Sequence, residues 1–252
     1  MVAETVRERK RAANHAKHLS CIDADAGSSL VVTTRLRQLI PDAVELQCEV
    51  LSQEEALSLL LHEGGCEQLL EDPPPAALRA VELCGRLPLA LGIAGGVIVE
   101  LADSWQEDLI PLLEEEFGEG SIEERVVAAS LRAVPEAMRA GIEELFGLLA
   151  VFPEDTAVPV SAIDVIAPLL GSQGGKRQMR RWLQQLLKAN LMRGSVEHGV
   201  SVHDLVRDCM TRRAEARKGG LCALQREVVP LLLAAFGAGR SPAAYVSKSL
   251  HW

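Results

Sequence analysis

Aromatic residues are scarce. Phe, Trp and Tyr make up 3% of the 252 residues, with a single tyrosine. A core built almost without rings must be packed from Leu, Val, Ile and Ala, a set that leans towards helix. Paired cysteines are missing too. The six (Cys21, Cys48, Cys66, Cys84, Cys209, Cys222) are scattered, and none forms a CxxC pair. The simple reading is a set of buried free thiols in a reduced, intracellular protein. No apolar run reaches the ~18–20 residues of a membrane span. The longest, LPLALGIAGGVIV at Leu87–Val99, contains Pro88 and three glycines and predicts a buried helix. The opening residues, MVAETVRERKRAANHAKH, are charged and do not read as a signal peptide. An excess of basic residues is also absent: the net charge is −9. That argues against a chain whose main task is to coat nucleic acid, while leaving room for a local basic patch.

A phosphate-binding loop is another absence. The pattern GxxxxGK[ST] after a strand places backbone N–H groups around phosphate. The nearest stretch, GSQGGKR at Gly171–Arg177, is one residue short and has Arg177 where the magnesium-holding hydroxyl belongs. No strand is expected before it, so it reads as an inter-helix loop. Asp23 and Asp25 stand apart from any long apolar strand that would hold a magnesium site. His15, His18 and Cys21 recur at spacings of three, but a closed zinc site wants four ligands. A solvated N-terminal helix fits them better.

What is present is mostly helical pattern. After a basic segment over residues 1–20, LVVTT at Leu30–Thr34 and VELQCEV at Val44–Val50 read as strands, with a short helix over Arg35–Ile40 between them. From Ser52 the period becomes helical, opened by the capping-box-like SQEE. Pro73-Pro74-Pro75 breaks the chain. Helices follow at Ala76–Cys84, from Pro88, and over Ser104–Glu116. Beyond Gly118–Gly120 they continue at Ser121–Ala133, from Pro135 to Ala150, from Pro159 to Gly171, and over Lys176–Asn190. Met179, Trp182, Leu183, Leu186 and Leu187 share one face of the last. Two extended pieces, Leu191–Val196 and Val200–Val202, flank a turn at Glu197-His198-Gly199. Helix, helix, helix, hairpin is the order of a winged helix-turn-helix. Helices over His203–Ala216 and Leu221–Phe236 complete the pattern.

Three places invite a functional reading. Lys176, Arg177, Arg180, Arg181 and Lys188 surround one helix. As a recognition helix it would meet a phosphate backbone; in an acidic chain the plainer reading is a solvated face. Arg35 closes the strand LVVTTR, where ligands of open α/β sheets sit; it would meet an anion or pair with a neighbouring carboxylate. The third is VSVHDLVRD at Val200–Asp208. Ser201-Val202-His203-Asp204 fits the capping signal [ST]-x-x-[DE], with Ser201 as cap and Asp204 in the first turn beside the positive end of the helix dipole. His203 is left at a natural anion site. A Ser-His-Asp triad is not expected, because adjacent side chains on one helix do not face each other.

GSSLVVTTR at 27–35, CGRLPLAL at 84–91 and VHDLVRD at 202–208 resemble successive motifs of the NB-ARC module. That module is the nucleotide switch of plant disease-resistance and apoptotic-protease-activating proteins, in the STAND class of P-loop NTPases. LSQEEALSLL at 51–60 and LFGLLAVFPEDTAVPV at 145–160 are similar to further pieces of it, in order. The resemblance covers residues 15–216. It implies that ADP/ATP is the cofactor, with Arg35 reading the γ-phosphate and Thr34 beside it. Pro88 would lie near adenine and ribose, and His203 would meet the β-phosphate of ADP, supported by Asp204 and Ser201. Val202 departs from the methionine usual in the family. The family's phosphate loop and acidic strand are not found in the 26 residues before Gly27.

The expected fold is therefore mainly α. A remnant of a parallel α/β nucleotide-binding sheet (27–50) follows an N-terminal helical segment (1–26). A helical subdomain (51–118), a winged-helix subdomain (119–216) and the helical start of a further region (217–252) come next. The expected function is part of a cytoplasmic ADP/ATP-dependent signalling switch in defence. Nucleotide affinity is weak or lost without the loop, and no hydrolysis by the chain alone is expected. Protein partners or self-association would act through the switch subdomains. The alternatives are a helical protein-interaction scaffold and, behind it, a winged-helix DNA-binding regulator. Neither a nucleic acid nor a membrane is the expected partner.

Overall fold

A computed structural model describes residues 31–34, 40, 43–115, 120–154, 156–173 and 175–237. The chain divides between Glu49 and Val50 into two units. In the first, Val31–Thr34 and Ala43–Glu49 run without regular structure, and Val44 and Leu46 are 88% and 87% exposed. The two expected strands, and with them the parallel sheet, do not form among the described residues. Alternating apolar side chains make a strand only when a neighbour takes up its N–H and C=O groups. No such ladder exists there. The N-terminal segment and most of the expected helix over Arg35–Ile40 lie outside the described residues.

The second unit is helical. Helix α1 (Gln53–Glu63) starts at a complete capping box. The Glu55 N–H donates to Ser52 Oγ at 3.2 Å, and the Ser52 N–H donates to Glu55 Oε2 at 2.9 Å. That pairing holds the Glu55 carboxyl below its usual range. Proline sets the next two starts, as its fixed φ favours the first helical turn: α2 (Pro75–Leu83) and α3 (Pro88–Leu101). Between them Gly85 and Arg86 both have positive φ, 58° and 56°. The positive φ favours glycine at 85, where a Cβ would also press on the tip of Ile122, 2.7 Å from its Cδ1. The reversed Arg86 carbonyl accepts the Leu51 N–H at 3.2 Å, tying the turn to the entry of α1.

Helix α3 carries the core. Ala90, Leu91, Ile93, Ala94, Gly95, Gly96, Val97 and Ile98 are all buried. It packs against α1, α4 (Trp105–Glu115), α5 (Ile122–Ala133) and α8 (Lys176–Lys188). Two glycines permit this. A Cβ on Gly95 would lie 2.9 Å from the Glu63 backbone carbon; one on Gly96 would lie 2.9 Å from Ala189 Cα. The stretch Pro88–Glu115 is long and apolar enough to cross a membrane by length and composition, and half of its most apolar window is buried within the fold. A reversal at Ala102, φ 49°, separates α3 from α4.

Ser121 caps α5 through the Glu124 N–H, and Pro135 precedes α6 (Glu136–Leu148). Helix α7 (Val160–Ile166) follows Pro159 and is continued by a 3-10 segment, Ala167–Gln173. The stretch expected as an inter-helix loop is thus partly wound, and a helix precedes it, not a strand. Met179, Trp182, Leu183 and Leu186 of α8 are buried as their spacing predicts, with Leu187 half-buried. After α8 come β1 (Arg193–Ser195) and β2 (Gly199–Ser201), an antiparallel pair in which Arg193 faces Ser201. Val158 bridges to Val200 on the other side. Helices α9 (Asp204–Glu215) and α10 (Gly220–Phe236) close the unit. The fold is mainly helical, with β1–β2 the only sheet among the described residues.

The glycines of α3 give a test with two signs. Gly96→Ala is expected to destabilise the protein by about 1–3 kcal/mol, because the added carbon meets backbone that cannot step aside. Gly92→Ala, where a Cβ meets nothing within 4 Å, is expected to stabilise it by up to about 1 kcal/mol through helix propensity. Urea unfolding of both variants against the parent measures the pair.

Candidate functional site

The hairpin delivers the chain to α9 in an extended conformation, and that sets the geometry of His203. Its φ and ψ are −66° and 145°, and it is the N-cap of α9. Ser201 ends β2 two residues earlier, paired with Arg193. The expected Ser201 cap is therefore corrected: the strand holds the serine, and the histidine takes the capping position. Asp204 is the first helical residue and stands in the first turn, as expected.

The expectation that His203 and Asp204 turn away from each other is also corrected. His203 Nδ1 lies 2.6 Å from Asp204 Oδ1. The rule for neighbours on a helix does not apply, because His203 is still extended and its side chain swings over the helix end. The Leu205 N–H points at both groups, at 2.7 Å from Asp204 Oδ1 and 3.3 Å from His203 Nδ1. Nδ1 cannot both donate to the carboxylate and accept from the amide. The shorter contacts decide: Nδ1–H donates to Asp204, and Asp204 also accepts the Leu205 N–H. Nε2 is then the ring nitrogen left for a ligand, and among the described residues it has no hydrogen-bond partner. Both side chains are about one-third exposed. A carboxylate that orients an imidazole in this way fixes the position of its ring and which nitrogen faces outwards. Of the N–H groups in the first turn, that of Leu205 is thus taken up by Asp204.

One turn further on, Arg207 does what the sequence reading missed. Its Nε–H donates to the Phe152 carbonyl at 2.8 Å, and Nη1 pairs with Glu154 Oε2 at 2.9 Å. The segment over residues 152–154 is thereby clamped to the head of α9. The available signal was the arginine four residues after the histidine, one helical turn away. Beneath lies a small apolar hollow lined by Phe152, Met192, Val200, Val202 and Met210. Its lining carries few polar groups, and its free space is far short of the several hundred Å³ a small-molecule site needs.

Pro88 is the exposed first residue of α3, so it and His203 mark the starts of two different helices. Thr34 lies in the irregular, exposed stretch of the first unit. Arg35 lies outside the described residues, as do His15, His18 and Cys21. Among the described residues no group of three or more His, Cys, Asp or Glu could hold a metal.

The cysteines are mixed. Cys84 and Cys209 are buried, whereas Cys48 and Cys222 are exposed and Cys66 is intermediate. The expectation of uniformly buried thiols is corrected accordingly. Burial pushes the Cys84 thiol up to about 12. Burial, aided by the Asp208 carboxylate, pushes Cys209 up to about 11.

No family model matches the chain. Over 197 residues, 72% of this chain, the sequence is 25% identical to a probable disease resistance protein of Arabidopsis thaliana. The matched part spans 23% of that protein. At that coarse level the likeness agrees with the motifs at 27–35, 84–91 and 202–208.

Arg207→Ala is expected to lower stability by about 1–3 kcal/mol, since it removes a charge-assisted bond and leaves the Phe152 carbonyl without its donor. Faster amide exchange in residues 152–158 is the accompanying readout. The thiols set a pH window. Cys84 and Cys209 stay protonated in the fold above pH 9, where an unfolded thiol ionises. Stability is therefore full below about pH 9 and falls towards pH 11–12, as the unfolded state sheds protons the folded state retains. At pH 8 a thiol reagent is expected to label Cys48 and Cys222 within minutes and Cys84 and Cys209 only on unfolding.

Proposed function

We propose that this chain is the helical and winged-helix part of an NB-ARC-type signalling switch, in which His203 meets the β-phosphate of ADP. One observation carries the reading: His203 caps α9 with Nδ1 held by Asp204, which leaves Nε2 as the open nitrogen, a donor to an anion when the ring carries a proton on both nitrogens. The order α6, α7, α8, hairpin, α9 supports a winged-helix arrangement, and the likeness to a plant disease resistance protein supports a role in defence signalling in the cytoplasm. Arg207 supplies the mechanical link. A phosphate that draws His203 acts on the helix that also holds the loop at 152–154. Further along α9 and just past its end, Arg213 and Arg217 pair with Glu143 and Glu144 of α6 at 3.6 Å, and Arg212 pairs with Glu124 of α5. ADP would favour the arrangement in which the head of α9 is engaged. ATP would release it and open surfaces for self-association or for a protein partner, a shift of populations set by differential contacts.

The 252 residues contain no phosphate-binding loop, so the affinity of the chain alone rests on few contacts and is expected to be weak. Calorimetric titration of the whole chain with ADP tests this. Binding at about 10–1000 μM is expected. His203→Ala should weaken it by about 10–100-fold, the worth of one charge-assisted hydrogen bond. Asp204→Asn should weaken it less. Unchanged affinity in His203→Ala overturns the assignment, and magnesium-dependent ATP turnover by the chain alone overturns the view that hydrolysis needs a loop it does not contain.

A second reading, a protein-interaction scaffold, is favoured by the small size of the hollow beside α9 and by the Asp204 carboxylate seated at the helix end. Retention of the chain on an immobilised complete nucleotide-binding domain, with no ADP affinity in solution, would be its signature.

A further inference from the structure

Helix α8 is not used by the nucleotide reading, yet it is the most basic element described. KRQMRRWLQQLLK contains five cations and no carboxylate, in a chain whose net charge is −9. Its two sides are sharply different. Met179, Trp182, Leu183 and Leu186 are buried, and the Trp182 ring lies flush against Gly141 of α6, where a Cβ would overlap it. The helix is therefore held rigidly from behind. On the outer side Arg177, Arg181, Gln184 and Lys188 recur at i, i+4, i+7 and i+11 and are all exposed. That is one continuous stripe, about 17 Å from end to end at 1.5 Å per residue.

Of the cations on α8, one is committed. Arg180 pairs with the buried Asp164 of α7 at 2.7 Å. Lys176, Arg177, Arg181 and Lys188 have no carboxylate within ion-pairing distance among the described residues, and neither has Arg193, exposed on β1 just beyond. Elsewhere on the unit Arg79, Arg132, Arg207, Arg212, Arg213 and Arg217 are paired. Unneutralised guanidinium groups at one spacing, on a helix braced from behind and followed by a hairpin carrying another, form a surface that fits a row of phosphates. The nearest opposing charge on the hairpin is Glu197, at its turn.

We propose that the outer face of α8, continued by Arg193, is a binding surface for the phosphodiester backbone of double-stranded nucleic acid. Recognition is by charge and carries little sequence preference. Gln184 is the single exposed amide on the stripe, because Gln185 is buried and donates to Glu100 of α3. The acidic balance of the rest of the chain opposes long-range attraction, so affinity is modest and confined to low salt.

The test is fluorescence anisotropy of the full chain with a labelled 20-base-pair duplex of mixed sequence, from 20 to 200 mM salt. Expected are micromolar binding at 20 mM and a log–log salt slope of about −3 to −4, for three or four phosphates contacted. A more than tenfold loss is expected in Arg177→Glu/Arg181→Glu with its circular dichroism unchanged. Lys218→Glu/Arg226→Glu, which reverses two exposed cations outside the stripe, should bind as the parent does. No binding at 20 mM salt overturns the proposal, as does equal loss in both double variants. Polyglutamate of matched charge that competes as well as unlabelled duplex also overturns it, and assigns the stripe to an acidic protein partner.

Discussion

The architecture depends on how closely three backbones approach one another at the middle of α3. Gly95 and Gly96 leave no side chain between α3 and the ends of α1 and α8, where a Cβ would fall within 2.9 Å of their backbones. Polar groups then use the proximity. Asn190, with φ 52°, lies just past α8 and donates its amide to Glu63 Oε2 at 2.9 Å and to the Gly92 carbonyl at 2.8 Å. One side chain thus joins the end of α1, the backbone of α3 and the exit of α8. Everything downstream follows from where that exit points, since β1 starts three residues later and β2 leads directly to His203.

Helix α9 then acts as a rod with fixings along its length. Its grip on the core comes from burial of Val206, Cys209, Met210 and Ala214. The ion pairs to α5 and α6 are exposed and worth at most about 1 kcal/mol each. Their role is orientation: Arg212 and Arg213 in the last turn and Arg217 just past it meet glutamates from two helices, and Arg213 also lies over the Phe146 ring at 5.8 Å from its centre. At the other end, His203, Asp204 and Arg207 occupy one turn. The phosphate-sensing reading and the clamp on the loop at 152–154 are thus two consequences of one helix start.

Much of this was legible beforehand. The capping box at Ser52, the prolines before α2, α3, α6 and α7, and the buried face of α8 all follow from local rules, because caps and helical spacing act over a single turn. The strands over Leu30–Thr34 and Val44–Val50 were misread for the converse reason, since a strand is made by its neighbours. At the site, VHDLVRD marked the right segment but assigned the wrong roles inside it. Ser201 belongs to a hairpin ladder, and His203 sits one residue before helical geometry begins, so two side chains expected to diverge instead meet.

The amino-acid sequence by itself determined where the helices start and stop, which faces they bury, and that α8 concentrates positive charge in an acidic chain. These are properties of spacing and composition, decided within a few residues. Only the tertiary structure decided which cations remain unneutralised, which carbonyl Arg207 caps and which histidine nitrogen is left open. The first two depend on partners far along the chain, brought within reach by the packing around α3; the last depends on His203 leaving the hairpin in an extended conformation, which turns its side chain onto Asp204.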